Sequence, residues 1–227
     1  MPVYCDRVLL GSCYARALQW AFDLHDGQVR KFLGRPGEHP VPYFSHLIAV
    51  SALVVESGGT ENEGIAALLH DALEDGPDCL RRRRNAPKDK ETLSALRKEI
   101  ADEIERNFGS EVLRLVEMCS EDSSIEDKVS RKTDYLLAFS RAETGAQLVM
   151  LCDKLHNAES IVREAIPLGA AVWKKFSLGP VQTVAFYRRA YQTGLDSCSD
   201  LRARSVLSRL KRAVLELEEL SHVEATC

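Results

Sequence analysis

Apolar residues recur at three- and four-residue spacing along most of this chain. That periodicity predicts helices near residues 11–32, 44–57, 62–75, 91–107, 110–119, 126–142 and 144–165, with two more over 172–194 and 200–221. No run alternates in the manner of a half-buried strand. Glycines and prolines fall between the helical blocks rather than in hairpin turns. There is no internal repeat. The expected fold is an all-α helical bundle, with any site built from side chains on facing helices. In the last helix, Leu207, Leu210, Val214 and Leu217 mark one apolar face. Its expected use is to close the molecule's own core, with a twin copy or another protein as the alternatives.

The pattern breaks where polar residues occupy positions that it reserves for apolar ones. In the run Ala66-Ala-Leu-Leu-His70-Asp71-Ala-Leu-Glu74-Asp75, four groups able to bind metal or protons follow an apolar stretch. In the helix predicted over 62–75, Glu74 lies over His70 and Asp75 over Asp71, since positions four apart share a face. A carboxylate among apolar neighbours is costly unless it is paired or coordinates a metal. The bland alternative is a solvated helix end with capping acids. Two other segments weigh against it. Tyr43-Phe-Ser-His46 leads into Leu47-Ile-Ala-Val50, and Gln147-Leu-Val-Met-Leu-Cys-Asp153 runs on to Lys-Leu-His-Asn157. A single such histidine is an ordinary core residue, but three segments in the order His…His-Asp…Asp are harder to explain as packing. His46, His70, Asp71 and Asp153 make a mixed nitrogen and oxygen set suited to Mn²⁺, Fe²⁺ or Zn²⁺, with Mn²⁺ favoured if positions for water stay open.

Composition narrows the setting. A length of 227 residues makes one domain the default and is enough to bury a substantial core. The formal charge of −4 argues against a general nucleic-acid or membrane binder. Seven cysteines, an odd number with no C-x-x-C pair, form neither a zinc knuckle nor an evident disulfide framework, which predicts a reducing, cytoplasmic setting. No stretch approaches the ~20 apolar residues of a membrane span. Nor does the N-terminus show a basic start followed by an apolar core, so no signal peptide is expected.

The spacing of His46, His70-Asp71 and Asp153 is the HD-domain metal signature. With His25-Asp-Gly-Gln-Val-Arg30-Lys31, Glu74-Asp75 and the closing Asn157, the chain resembles the hydrolase domain of RelA/SpoT-type proteins in its free-standing form, the small alarmone hydrolases. The resemblance spans about Ala15 to about Ile166 and includes no synthetase domain. It implies removal of the 3′-pyrophosphate from guanosine tetra- and pentaphosphate, or from their adenosine counterparts, with one divalent metal. Glu74 and Asp75 are then the candidates for positioning water and moving protons. The resemblance also implies that Arg30 lies against the base, Lys31 near the nucleotide and Asn157 at the ribose. Arg131 and Lys132 are the candidates for the 5′-phosphates.

Three regions exceed the family pattern. The loop Gly34-Arg-Pro-Gly-Glu-His-Pro-Val41 is long, and Gly76 stands where threonine is common. Both bear on base preference. Residues 76–90 form a basic insertion with Arg81-Arg-Arg-Arg84, read as a solvated loop or as a phosphate-attracting surface for tRNA. Residues 167–227 form a C-terminal helical extension. Some family members act as antitoxins to toxic alarmone synthetases, so a synthetase partner is a further expectation. Rival readings are another HD phosphohydrolase, such as a nucleotidase, and a non-catalytic nucleotide- or partner-binding module.

Overall fold

The computed structural model describes residues 10–31 and 39–223. Ten α-helices occur among them: α1 (Ser12–Leu24), α2 (Phe44–Glu56), α3 (Glu61–Leu69), α4 (Gly76–Arg83), α5 (Lys90–Phe108), α6 (Ser110–Cys119), α7 (Lys128–Arg141), α8 (Thr144–Leu168), α9 (Gly179–Ser197) and α10 (Ala203–Val223). A 3-10 helix, Gly169–Lys175, joins α8 to α9. No strand occurs among the described residues, and the expected all-α bundle is the fold observed. No described helix is long and apolar enough to cross a membrane.

Helix α8 is the axis. Every residue from Gly145 to Asp153 is buried, because α2, α3, α6, α9 and α10 pack around it. Helix α3 is buried from Glu63 to Leu69. Its start is fixed by a capping box: the Thr60 hydroxyl accepts from the Glu63 amide, and Glu63 accepts from the Thr60 amide. Glu63 is also gripped by Arg202 through two hydrogen bonds of 2.7 and 3.0 Å. This ties the segment before α10 to the beginning of α3. The apolar face of α10 lies against α8 and α9, and Leu207, Leu210, Val214 and Leu217 are all buried there.

The helix expected over 62–75 ends early. Helix α3 stops at Leu69, and His70 to Asp75 form a tight turn before α4. The one-face stacking of Glu74 over His70 is therefore not how these residues meet. Pro77 supplies a reason. It has no N–H for the Leu73 carbonyl, and its ring would collide with that carbonyl in a continuous helix. The Leu73 oxygen is bonded instead by Arg97 of α5 at 2.5 Å. Pro77 sits comfortably in the first turn of the new helix.

Residues 76–83, expected as part of a basic loop, are helix α4. Its last turn holds Arg81, Arg82 and Arg83, which suits the negative end of the helix dipole. Gly76 is buried: a Cβ there would lie 2.9 Å from Ile100 Cδ1 and 3.0 Å from Leu24 Cδ2, so a threonine would force those side-chain ends to shift. Helix α1 ends at Leu24 rather than near residue 32, and the chain reverses at Gly27, whose φ of +76° favours glycine. The helix expected over 172–194 is interrupted before α9, where Gly179 has φ +70° and Pro180 opens the helix. Of the long loop before His46, Gly34 to Glu38 lie outside the described residues.

Candidate metal centre and active-site cavity

Three elements deliver the candidate metal ligands. His46 comes from the first turn of α2, His70 from the residue after α3 and Asp153 from mid-α8, and all three are buried. One ligand atom from each lies within 4.8 Å of the others. His46 Nε2 is 3.2 Å, and His70 Nε2 3.7 Å, from Asp153 Oδ1. Asp71 completes the predicted set, its Oδ2 standing 3.0 Å from His70 Nε2 and 3.8 Å from His46 Nε2.

The surroundings fit a cation. His70 Nδ1 donates to the Ala67 carbonyl at 2.8 Å, which leaves the Nε2 lone pair aimed into the cluster. That buried Nε2 has no hydrogen-bond partner despite its nearness to Asp71. Burial works against a charge on His70, yet Asp71 and Asp153 raise its proton affinity well above the usual value. The site's field therefore calls for positive charge. Asp153 is also buried, but Lys154 and the two histidines hold its carboxyl well below the usual range. Lys154 Nζ grips Asp153 Oδ2 at 2.7 Å while lying 4.4 Å from the centre of the Tyr135 ring, which leaves Oδ1 facing the cluster.

A cavity of about 580 Å³ opens beside the cluster. Asp71, Glu74 and Asp75 line one side. Arg30, Lys31, Lys128, Arg131, Lys132 and Lys175 also line it, interspersed with Glu121, which pairs with Arg131 and Lys132, and Glu164, which pairs with Lys175. Glu74 Oε1 accepts from the Glu121 amide at 2.6 Å. Separation from bulk water and, next, the Asp71 charge push its carboxyl up to about 7, although much of the residue's surface stays open. Asp75 is raised by the same two causes in the same order, and its Oδ2 accepts from Gln28 Nε2 at 2.7 Å. Gln28 is held in turn by His25, whose Nδ1 donates to Gln28 Oε1 at 2.7 Å.

The extended segment before α2 aims these groups. Arg30 N donates to the Val41 carbonyl and Tyr43 N to the Gln28 carbonyl, each at 2.9 Å, forming the single β-bridge of the described residues. Thus pinned, Tyr43 donates to Asp71 Oδ2 at 2.5 Å, and Arg30 reaches Asn157 Oδ1 at 2.9 Å. Asn157 Nδ2 donates to Asp153 Oδ1, so the asparagine links Arg30 to a candidate metal ligand. Arg30 is also 6.0 Å from the centre of the Tyr43 ring. Lys31 lines the cavity, and its carbonyl accepts from Lys175. Arg131 and Lys132 reach the cavity while braced by Glu121 at 2.9 and 3.2 Å.

Several neighbours were not singled out in the sequence: Gln28, Tyr43, Glu121, Lys154, His156 and the cavity-lining turn Lys175–Leu178. Gln28, Tyr43, Lys154 and His156 stood inside quoted motifs, His25–Lys31, Tyr43–His46 and Gln147–Asn157, which was the available signal. His156 Nδ1 lies 2.7 Å from His46 Nδ1, and burial, then His46 and Arg30, lower its proton affinity to about 3, so the ring is neutral. Arg81 to Arg84 are each engaged within the chain. Arg81 and Arg82 pair with Asp78, Arg83 bonds the Asp23 and Leu24 carbonyls, and Arg84 pairs with Glu99. Cys152 is fully buried, which pushes its thiol up to about 12.

Comparison with known proteins follows the same lines. Residues 17–171 match a family model described as HD domain. The human protein named guanosine-3′,5′-bis(diphosphate) 3′-pyrophosphohydrolase MESH1 is 32% identical over 158 residues, 68% of this chain and 74% of the human one. Its mouse counterpart is 30% identical over 157 residues, with the same coverage of each chain. A solved structure described as a metazoan ortholog of SpoT that hydrolyzes ppGpp superposes with TM-score 0.58 and 22% identity, covering 94% of this chain and 96% of that one. The structure of lmo0812 from Listeria monocytogenes EGD-e gives TM-score 0.60 at 20% identity, over 74% and 96% of the respective chains. These two show the shared fold.

Proposed function

The chain belongs to the HD domain family, among its small alarmone hydrolases, and we propose that it is a metal-dependent 3′-pyrophosphohydrolase of guanosine 3′,5′-bis(diphosphate). The observation that carries this reading is the His46, His70 and Asp153 cluster standing beside a cavity lined by the Glu74-Asp75 pair and by six cations. A small nucleotide bearing phosphates at both ends needs all three.

In this reading His46, His70, Asp71 and Asp153 hold one divalent ion, with Mn²⁺ the proposed occupant of this mixed nitrogen and oxygen set. A bound ion of this kind lowers the pKa of its water and offsets charge developing on phosphate. Lys154 holds Asp153 Oδ2 and leaves Oδ1 toward the cluster, while Tyr43 positions Asp71 through Oδ2, the oxygen that faces the histidines. Glu74 and Asp75 stand at the cavity wall as the groups that orient the attacking water and transfer protons. The proton affinity of Glu74, near 7, lets it both take and return a proton close to neutral pH. Arg30 and Asn157 are placed for base and ribose, and Arg131, Lys132, Lys128 and Lys175 for the phosphates at the far end. The guanidinium of Arg30 is suited to stacking on a purine.

The test is incubation of the purified protein with Mn²⁺, and after chelation, with the guanosine and adenosine tetraphosphate alarmones and with simple nucleotides. Products are resolved by anion exchange. Metal-dependent release of pyrophosphate and a guanosine 5′-diphosphate is the expected result. Phosphate release from simple nucleotides alone would move the chain to the nucleotidase branch. A tRNA 3′-pyrophosphate is the next substrate in line; Arg81 to Arg84 each have a partner within the chain, while the Arg82 and Arg84 side chains stay about half exposed. An antitoxin role beside a synthetase rests on the same hydrolysis.

A further inference from the structure

The two ligand histidines are held in different ways. His70 Nδ1 faces the Ala67 carbonyl at 2.8 Å. A carbonyl only accepts, so it locks the proton on Nδ1 and leaves Nε2 free. His46 has no such lock. Its Nδ1 faces His156 Nδ1 at 2.7 Å, with ring centres 4.9 Å apart and planes 33° apart. Only one proton fits between two such nitrogens, and either ring can supply it.

The choice decides whether His46 can bind a metal. If His156 donates, His46 carries its proton on Nε2, 3.2 Å from Asp153 Oδ1, and has no lone pair for a cation there. If His46 donates, its Nε2 is free beside Asp153. The two states hold the same number of protons: one leaves His46 Nε2, one enters His156 Nε2, and the shared proton changes rings. We propose that His156 is the positioning residue for His46, accepting the Nδ1 proton and so presenting the Nε2 lone pair to the divalent cation. This inference rests on the metal centre proposed above and concerns how that centre is readied.

The experiment measures Mn²⁺ affinity without nucleotide, by competition with a chromogenic chelator, for the wild type, His156→Leu and His156→Asn. Leucine removes the acceptor, and asparagine restores an amide oxygen near the place of Nδ1. Melting curves report folding. A loss of about 10- to 100-fold in affinity for leucine, typical of removing a partner behind a metal ligand, with most of it regained by asparagine, is the expected result. Unchanged affinity in His156→Leu, or an asparagine variant no better than leucine, would overturn the proposal. No Mn²⁺ binding by the wild type would sink the metal centre itself, and this inference with it. A second reading needs no mutation: ¹⁵N spectra of the Zn²⁺-loaded wild type should show His46 protonated at Nδ1 and His156 at Nε2. The opposite assignment would refute the idea.

Discussion

Glu74 and Asp75 are neighbours in sequence but are held by different parts of the molecule. Glu74 leans on the Glu121 amide and Asp75 on Gln28. Neither contacts the histidine cluster directly, so their removal should spare metal binding. The double variant Glu74→Gln with Asp75→Asn is expected to keep wild-type Mn²⁺ affinity while turnover falls about 10²- to 10⁴-fold, the scale of lost general acid–base catalysis. Unchanged turnover would remove the pair from the mechanism. Glu74 also leaves a mark on stability. Its folded-state proton affinity, near 7, lies above the ordinary 4.5, so the folded state binds that proton more tightly. The cost of the charge is absent below about pH 4.5, grows as pH rises through about 7 and is then complete. In chelated protein, Glu74→Gln should therefore gain melting temperature relative to the wild type as pH goes from 5 to 8. A difference independent of pH would show that the carboxyl titrates as in water.

At the scale of elements, the turn between α3 and α4 shapes the site, and it was the least legible part of the sequence. His46, His70, Asp71 and Asp153 could be read because each breaks an apolar pattern. The partners that aim them could not. Lys154 and His156 follow Asp153 within three residues, yet nothing in their spacing says that one clamps Asp153 and the other faces His46 across α2. Helix α4 was hidden because its arginines leave no apolar period, and the early end of α3 was hidden by the apolar Ala72 and Leu73. Pro77 was the available clue, and its consequence falls on Arg97. Replacing Arg97 by alanine should leave the Leu73 carbonyl without its partner at a cost of about 1–3 kcal/mol, seen in denaturant melts. Because the turn carries Asp71, Glu74 and Asp75, turnover should fall as well. A variant as stable as the wild type would show that the turn holds itself.

For the whole molecule, the formal charge of −4 hides a strongly divided surface. The cavity is lined by six cations and five carboxylates, Asp71, Glu74 and Asp75 on one hand and Glu121 and Glu164 among the cations on the other. Between about 0.1 M and about 1 M ionic strength the screening length falls from about 10 Å to about 3 Å. Over that range KM for a polyphosphorylated nucleotide should rise several-fold, with kcat little changed. A flat KM would show that these cations do not draw the substrate in.

The lining of the cavity draws on two stretches of the chain. The candidate ligands and the acid pair all lie within residues 17–171, the stretch shared with the HD domain family. Lys175, Phe176, Ser177, Leu178, Thr183, Phe186 and Tyr187 close the cavity from beyond it. The candidate ligands, the acid pair and most of the proposed substrate contacts thus share one stretch, and the segment from Lys175 to Tyr187 adds a further side to the same cavity. Mutations confined to that segment would reshape the cavity while the candidate metal ligands stay fixed. An old reaction can in this way acquire new customers without being reinvented.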